Sequence, residues 1–273
     1  MTLAWSRVAA CVAALLAGLP VAAQTLRLND TGQITCYDNS ATPTGTVSPF
    51  TPNPTATGFA AQDCVRGAAA ADALGRMVKV GGSTVPGRDY TKIANDGSVL
   101  PADAELGSGP TDWACTRDNI TGLIWEIKTT SGLRSQLYFY NWYDTNTAVN
   151  GGYAGFPRSA DAFCQGLGPN CNTTAYRDAI NALTGADRLC GAADWRLPTV
   201  NELVGLFNLG TPLVPAIDAA WFPNTVFSRG VWSGETTAVG GNGQGAWLLL
   251  QDGSIIMSTK SQTGHVRLVR GGQ

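Results

Sequence analysis

Charge is scarce in this 273-residue chain: Asp, Glu, Lys and Arg make up 14% of it, and there is one histidine. No basic run, stripe or patch is present, which argues against a nucleic-acid partner. The lone histidine, His265, limits hydrolytic chemistry, because any Ser-His-Asp triad would have to use it. It stands beside Gly264 at the start of a strand-like segment and reads as an exposed strand residue. No GxSxG, phosphate-binding loop or dinucleotide fingerprint occurs. No CxxC pair occurs either, and the only histidine is distant from the cysteines, so a zinc site is not expected. Beyond the first 23 residues no apolar run approaches the roughly 18 residues of a membrane span, so no transmembrane segment is predicted. No internal repeat is visible.

What is present begins with a leader. Arg7 supplies a positive start, Val8 to Val21 an apolar stretch, and Val21-Ala22-Ala23 the small residues of a cleavage site. Residues 1–23 read as a secretory signal peptide, with cleavage after Ala23. Cys11 lies inside the apolar stretch and is not read as a lipid anchor. The remainder carries 17 basic and 20 acidic residues. Its six cysteines, Cys36, Cys64, Cys115, Cys164, Cys171 and Cys190, are an even set in an exported chain, the signature of disulfides. Spacing alone does not choose among their pairings. The expected set is Cys36–Cys64, Cys171–Cys190 and Cys115–Cys164. The first would close a loop worth about 3–4 kcal/mol in the chain-entropy picture.

Residues 24–112 are weakly patterned. The Pro- and Thr-rich run at 40–58 excludes a regular helix or a central strand, and GGSTVPGRDY and ANDGSV supply turns. The whole stretch reads as an irregular extension. Patterning begins near Asp112. In TGLIWEIKT, Leu123, Trp125 and Ile127 fall on one face of a strand, with Glu126 and Lys128 on the other, after a turn at Asp118-Asn119. In NTTAYRDAINAL, Tyr176, Ile180 and Leu183 recur at helical spacing, with Thr173 or Thr174 as cap.

The stretch DWRLPTVNEL sets Trp195, Arg196 and Glu202 close together, as a binding site would. It also reads as a structural clip. Thr199 and Glu202 form a capping box, Pro198 forbids helix before it, and Leu203, Leu206 and Phe207 give an apolar face. Arg196 is then expected to pair with a carboxylate or backbone carbonyls. The structural reading is preferred. Towards the C-terminus, strands are expected from Val231, over Ala246–Leu250 and over Ser254–Thr259, with Asp252-Gly253 as a hairpin turn. HVRLVRG forms the last strand of an antiparallel meander.

One segment suggests a ligand surface. YFYNWYD, followed by TNTAVNGGYAGFPR, places aromatics before a long polar loop, and aromatic faces beside Asn and Asp suit sugar rings. Tyr140, Trp142, Tyr143, Asp144 and Arg158 are the candidate binding residues. The competing reading is that Tyr138, Tyr140 and Trp142 fill a strand face. Lectin-type calcium loops are absent: Phe222-Pro223-Asn224 and Val231-Trp232-Ser233 lack the Glu and Asp such loops use. No metal, cofactor or catalytic residue is assigned. Asn119-Ile120-Thr121 and Asn172-Thr173-Thr174 match the glycosylation pattern but read as a turn and a helix start.

Taken in order, NITGLIWEIKT, NTTAYRDAINAL, LCGAADWRLPTVNELVGLF, VWSGETT, GAWLLLQDGSI and VRLVRGG resemble the family named for the C-terminal domain of the Legionella collagen-like protein. The resemblance covers 113–272. It implies an α+β, C-type-lectin-like fold: two helices on a small, twisted, mostly antiparallel sheet with long loops. It also implies cell-surface binding or adhesion, the collagen-like member being similar to binders of sulfated glycans. This chain has no Gly-X-Y stalk and no basic excess. The expectation is therefore an exported, non-enzymatic binding protein of periplasm, cell surface or medium, with a glycan or surface-protein ligand. The alternatives are a structural envelope or pilus-associated component and, through another branch of the same fold, a redox-type enzyme related to formylglycine-generating proteins.

Overall fold

The computed structural model describes residues 32, 35–37, 43–46, 88–158, 162–208, 216–226, 228–237, 245–250 and 252–272. The expected signal peptide and the Cys36–Cys64 pairing lie outside them. Near the N-terminus, β1 (Thr35–Tyr37) and β2 (Pro43–Thr46) pair as an antiparallel hairpin. Proline is tolerated there because a two-stranded ribbon consists of edges.

The main sheet has five antiparallel strands. They are β3 (Tyr90–Ala94), β4 (Val99–Leu100), β5 (Trp113–Asp118), β6 (Leu123–Glu126) and, from the far end of the chain, β12 (Val269–Gly271). Their spatial order is β12-β6-β5-β3-β4. The β5–β6 turn forms because the Asp118 carboxylate accepts from the amides of Ile120 and Thr121 at 2.8 and 3.2 Å. The reading of 24–112 as irregular fails over its last part. β3 lies between β4 and β5, and all five of its residues are buried. Its mixed composition hid it, because a strand covered on both faces shows no alternation.

A second sheet is the meander of β8 (Val231–Thr237), β9 (Gly245–Leu249) and β10 (Ile255–Thr259). The expected turn at Asp252-Gly253 joins its last two strands, with Gly253 at φ 88°. The final strand does not extend this meander, however. It crosses to the main sheet and pairs with β6, Val269 opposite Trp125. Two short strands, β7 (Tyr140–Asn141) and β11 (Thr263–Gly264), form a small third pair.

Two α-helices are present among the described residues. Helix α1 (Thr173–Asn181) is capped by Asn172, not by a threonine: its side-chain oxygen accepts from the Ala175 amide at 2.8 Å. Thr173 and Thr174 instead donate to the Tyr143 carbonyl. Helix α2 (Val200–Val204) starts at Thr199 with the expected capping box. Two apolar clusters fill the interior. One gathers Tyr140, Trp142, Tyr176, Trp195 and Trp232. The other holds Trp125, Leu203, Phe207 and Phe222 beside β6, α2 and β8.

The disulfides correct the expected pairing. Cys115 joins Cys190, and Cys164 joins Cys171. Cys190 lies in a tight turn packed against the β3–β4 turn. Gly191 donates to the Asn95 carbonyl at 2.9 Å, and a Cβ on Gly191 would stand 2.9 Å from the Asp96 carbonyl oxygen. That close approach carries Cys190 to β5. The bridge spanning 75 residues is worth about 4–5 kcal/mol and the one spanning 7 about 2–3 kcal/mol in the chain-entropy picture.

Candidate functional site

The DWRLPTVNEL clip is built as its residues predict. Trp195 is buried, and its backbone is held at both ends by the Asn181 side chain at 2.8 Å. Arg196 forms a two-pronged pair with Glu202, at 2.8 and 2.6 Å. Glu202 also accepts from the Thr199 amide at 2.8 Å. Burial raises the Glu202 pKa, but the guanidinium and the amide outweigh it and hold the carboxyl below its ordinary value. Arg196 and Val269 exchange backbone hydrogen bonds, which locks the clip to β12. All these polar groups are answered within the protein.

The aromatic segment divides differently. Tyr140 and Trp142 are 0% and 1% exposed, so their ring faces meet protein. Tyr140 packs 5.0 Å from Tyr176, and the Trp142 indole donates to the Ser233 carbonyl at 2.9 Å. Alternation here fills a face, as the packing reading holds. Tyr143 and Asp144 are half-buried at the foot of the loop, where Asp144 pairs with Arg177 of α1 at 3.3 Å. Arg158 is exposed at the far end of the loop. The five candidates thus do not share one exposed surface.

The loop itself winds around a lysine. Lys260, 0% exposed, donates to the carbonyls of Asn150 and Tyr153 at 2.7 and 2.6 Å and sits 4.1 Å from the centre of the Trp142 ring. Burial draws its pKa down to about 8, against the pull of Asp144.

A second polar cluster lies under β6. Glu126 and Lys128, on the face opposite Leu123, Trp125 and Ile127, are both buried, and Tyr176 of α1 bonds to both of them there. Glu126 accepts from Lys128 at 3.0 Å, from the Tyr176 hydroxyl and from the Leu268 amide at 3.0 Å. Arg267 donates to the Glu126 carbonyl at 2.6 Å and to Thr225 at 2.7 Å. Burial lowers Lys128 to about 8 and Arg267 to about 10, and raises the Tyr176 hydroxyl. Together these groups tie β6, α1 and the last strand.

His265 is also buried rather than exposed, at 6%. Its strand runs against the core: a Cβ on the preceding Gly264 would come within 2.7 Å of Leu248. One ring nitrogen lies 2.9 Å from the Tyr138 carbonyl and the other 3.1 Å from the Ser228 hydroxyl. Burial pulls its pKa down to about 4, leaving the ring neutral at ordinary pH.

One concavity retains polar groups that the protein does not use. Two adjoining cavities of about 300 Å³ each open beside the end of the β5–β6 ladder. They share Ser108, Thr129, Ser131 and Arg134. The Arg134 Nη1 atom is anchored on the carbonyls of Ile127 and Ala114 at 3.1 and 3.4 Å. Its Nε and Nη2, and the hydroxyls of Ser108 and Ser131, donate to no described residue. Sequence reasoning missed this place. The run Thr129-Thr130-Ser131-Gly132 marks a turn, but no spacing marks the arginine after it. Among the described residues no group of three His, Cys, Asp or Glu side chains is set to hold a metal, and no helix is long and apolar enough to cross a membrane.

Residues 114–270 match the model of the Lcl C-terminal domain. The chain belongs to that family. The matched Lcl C-terminal domain begins within β5, so β3 and β4 complete its sheet from outside the matched region. The clip, the polar cluster under β6 and both cavities of the cleft draw on it. Family membership agrees with a surface-associated protein. No curated protein and no solved structure matches the chain.

Proposed function

We propose that the chain is an exported, surface-associated binding protein that holds a glycan or protein ligand in the cleft around Arg134 without converting it. The carrying observation is the guanidinium fixed on one nitrogen, with the others answered by no described residue, on the wall common to two cavities. A guanidinium positioned before the ligand arrives loses little freedom on binding. The mixture of hydroxyls, amides and aliphatic side chains around it suits recognition. In this proposal the helices, small antiparallel sheets and long loops form a C-type-lectin-like scaffold. Cys115, Cys164, Cys171 and Cys190 lie in disulfides, which weighs against the redox alternative.

The test is a glycan-array screen, with a parallel screen of surface proteins, on the full-length protein with its disulfides intact. A specific ligand lost on Arg134→Ala supports the proposal. A ligand retained by that variant removes the cleft from it.

A further inference from the structure

The size, lining and charge of the two cavities narrow the ligand. We infer that the cleft takes a neutral oligosaccharide of at least two units, one ring in each cavity, with the linkage at Arg134. This rests on the cleft being the ligand site.

Size is the first argument. Each cavity, at about 300 Å³, is at the small end of the range for small-molecule sites and has room for one sugar ring. Two such spaces sharing a wall suit two rings joined by one bond.

The lining is the second. A sugar ring offers an apolar C–H face and an edge of hydroxyls. One cavity sets Leu133 and Leu183 with Asn95 and Ser131. The other sets Leu106 with Ser131 and Asn224. The amide nitrogens of Asn95 and Asn224 are spent on the carbonyls of Gly109 and Lys128, which fixes these side chains and leaves their oxygens as acceptors. The unanswered donors, Arg134 and the hydroxyls of Ser108 and Ser131, supply the complement. A lining that combines donors and acceptors with aliphatic carbon matches a polyol ring.

Charge is the third. The lining carries Arg134 and the exposed carboxylate of Asp187. Lys128 also lines one cavity, but its ammonium is committed to Glu126 and Tyr176. Among the described lining residues, one cation against one carboxylate offers nothing to a polyanion, which is held by several cations at once.

The test is calorimetry of the full-length protein with mono-, di- and trisaccharides of glucose, galactose, mannose and N-acetylglucosamine, and with a sulfated oligosaccharide for comparison. The expected result is a disaccharide that binds at least about tenfold tighter than its monosaccharide, with affinity unchanged between about 50 and 500 mM salt. Arg134→Lys, which keeps the charge and loses the planar fork, should weaken it at least about tenfold with thermal stability unmoved. Leu183→Trp, which fills one cavity, should reduce the disaccharide to the monosaccharide's affinity. Equal affinity for one ring and two, or salt-sensitive binding of the sulfated probe alone, overturns the inference. If no sugar binds but a protein ligand does, and is lost in Arg134→Lys, the cleft survives and its ligand class fails. If sugar binding is indifferent to both variants, the cleft itself fails.

Discussion

Lys128, Arg267 and Lys260 lie inside the protein with their charged heads answered by carboxylate, carbonyl or ring. Arg134 stands in the turn beyond β6 with one nitrogen engaged and the others engaged by no described residue. Both regions gather polar atoms on a frame of strands, and they differ in closure. Where the chain answers each donor, the polar groups specify how elements dock, and opening the cluster exposes an unpaired charge to an apolar interior. Where a donor is left over at the surface, water satisfies it until something else does.

The largest effect should come from breaking the closed interior at its carboxylate. Glu126→Ala strands the charges of Lys128 and Arg267 in the core, and denaturant unfolding should show a loss of roughly 3–5 kcal/mol. An unchanged midpoint would remove the contrast with the cleft. Lys260→Met should cost about 2–4 kcal/mol, since a buried and a half-buried carbonyl lose their donor. Hydrogen exchange should also show faster opening across residues 144–157, with the five-stranded sheet unaffected.

Acid tests the same interior through His265. Its folded pKa, about 4, lies below the ordinary 6.5. The unfolded chain therefore binds the extra proton first, and stability falls as pH drops from about 6.5 towards 4. His265→Gln should flatten that part of the curve. Lys128 and Lys260, both drawn down to about 8, add a rise in stability as pH climbs from about 8 towards 10, because the unfolded chain there holds more protons. Thermal melts at stepped pH check both windows.

The half-exposed clip should matter less. Glu202→Ala removes the capping box and the Arg196 pair at a cost of about 1 kcal/mol, and ligand affinity should not change. Smallest of all, Arg134→Lys should leave stability within about 0.5 kcal/mol, the range of an ordinary surface change, while weakening binding at least about tenfold. A large stability loss there would place Arg134 with the closed interior.

Legibility in the sequence followed the same division. The clip was readable because a capping box, a proline and an apolar face are local signals within ten residues. The β9–β10 hairpin was readable for the same reason, at Asp252-Gly253. The burial of Glu126 and Lys128 was not, because the groups that cover them arrive from α1 and from Arg267, far along the chain. His265 was misread on similar grounds. The disulfides depended on how close the 189–191 turn approaches β3 and β5, which spacing does not encode. The aromatic run offered two readings, and burial of Tyr140 and Trp142 favours packing. Arg134 carried no signal at all: one arginine in a turn looks the same whether its nitrogens are used or spare.

The polar cluster under β6 also sets a schedule. Glu126 and Lys128 are made early, while Arg267 and the Leu268 amide, which complete their surroundings, follow Glu126 by 141 and 142 residues. Until those arrive, β6 lacks β12, and an ionised carboxylate has no reason to leave water. The five-stranded sheet can therefore close only once residues 267–271 have been made.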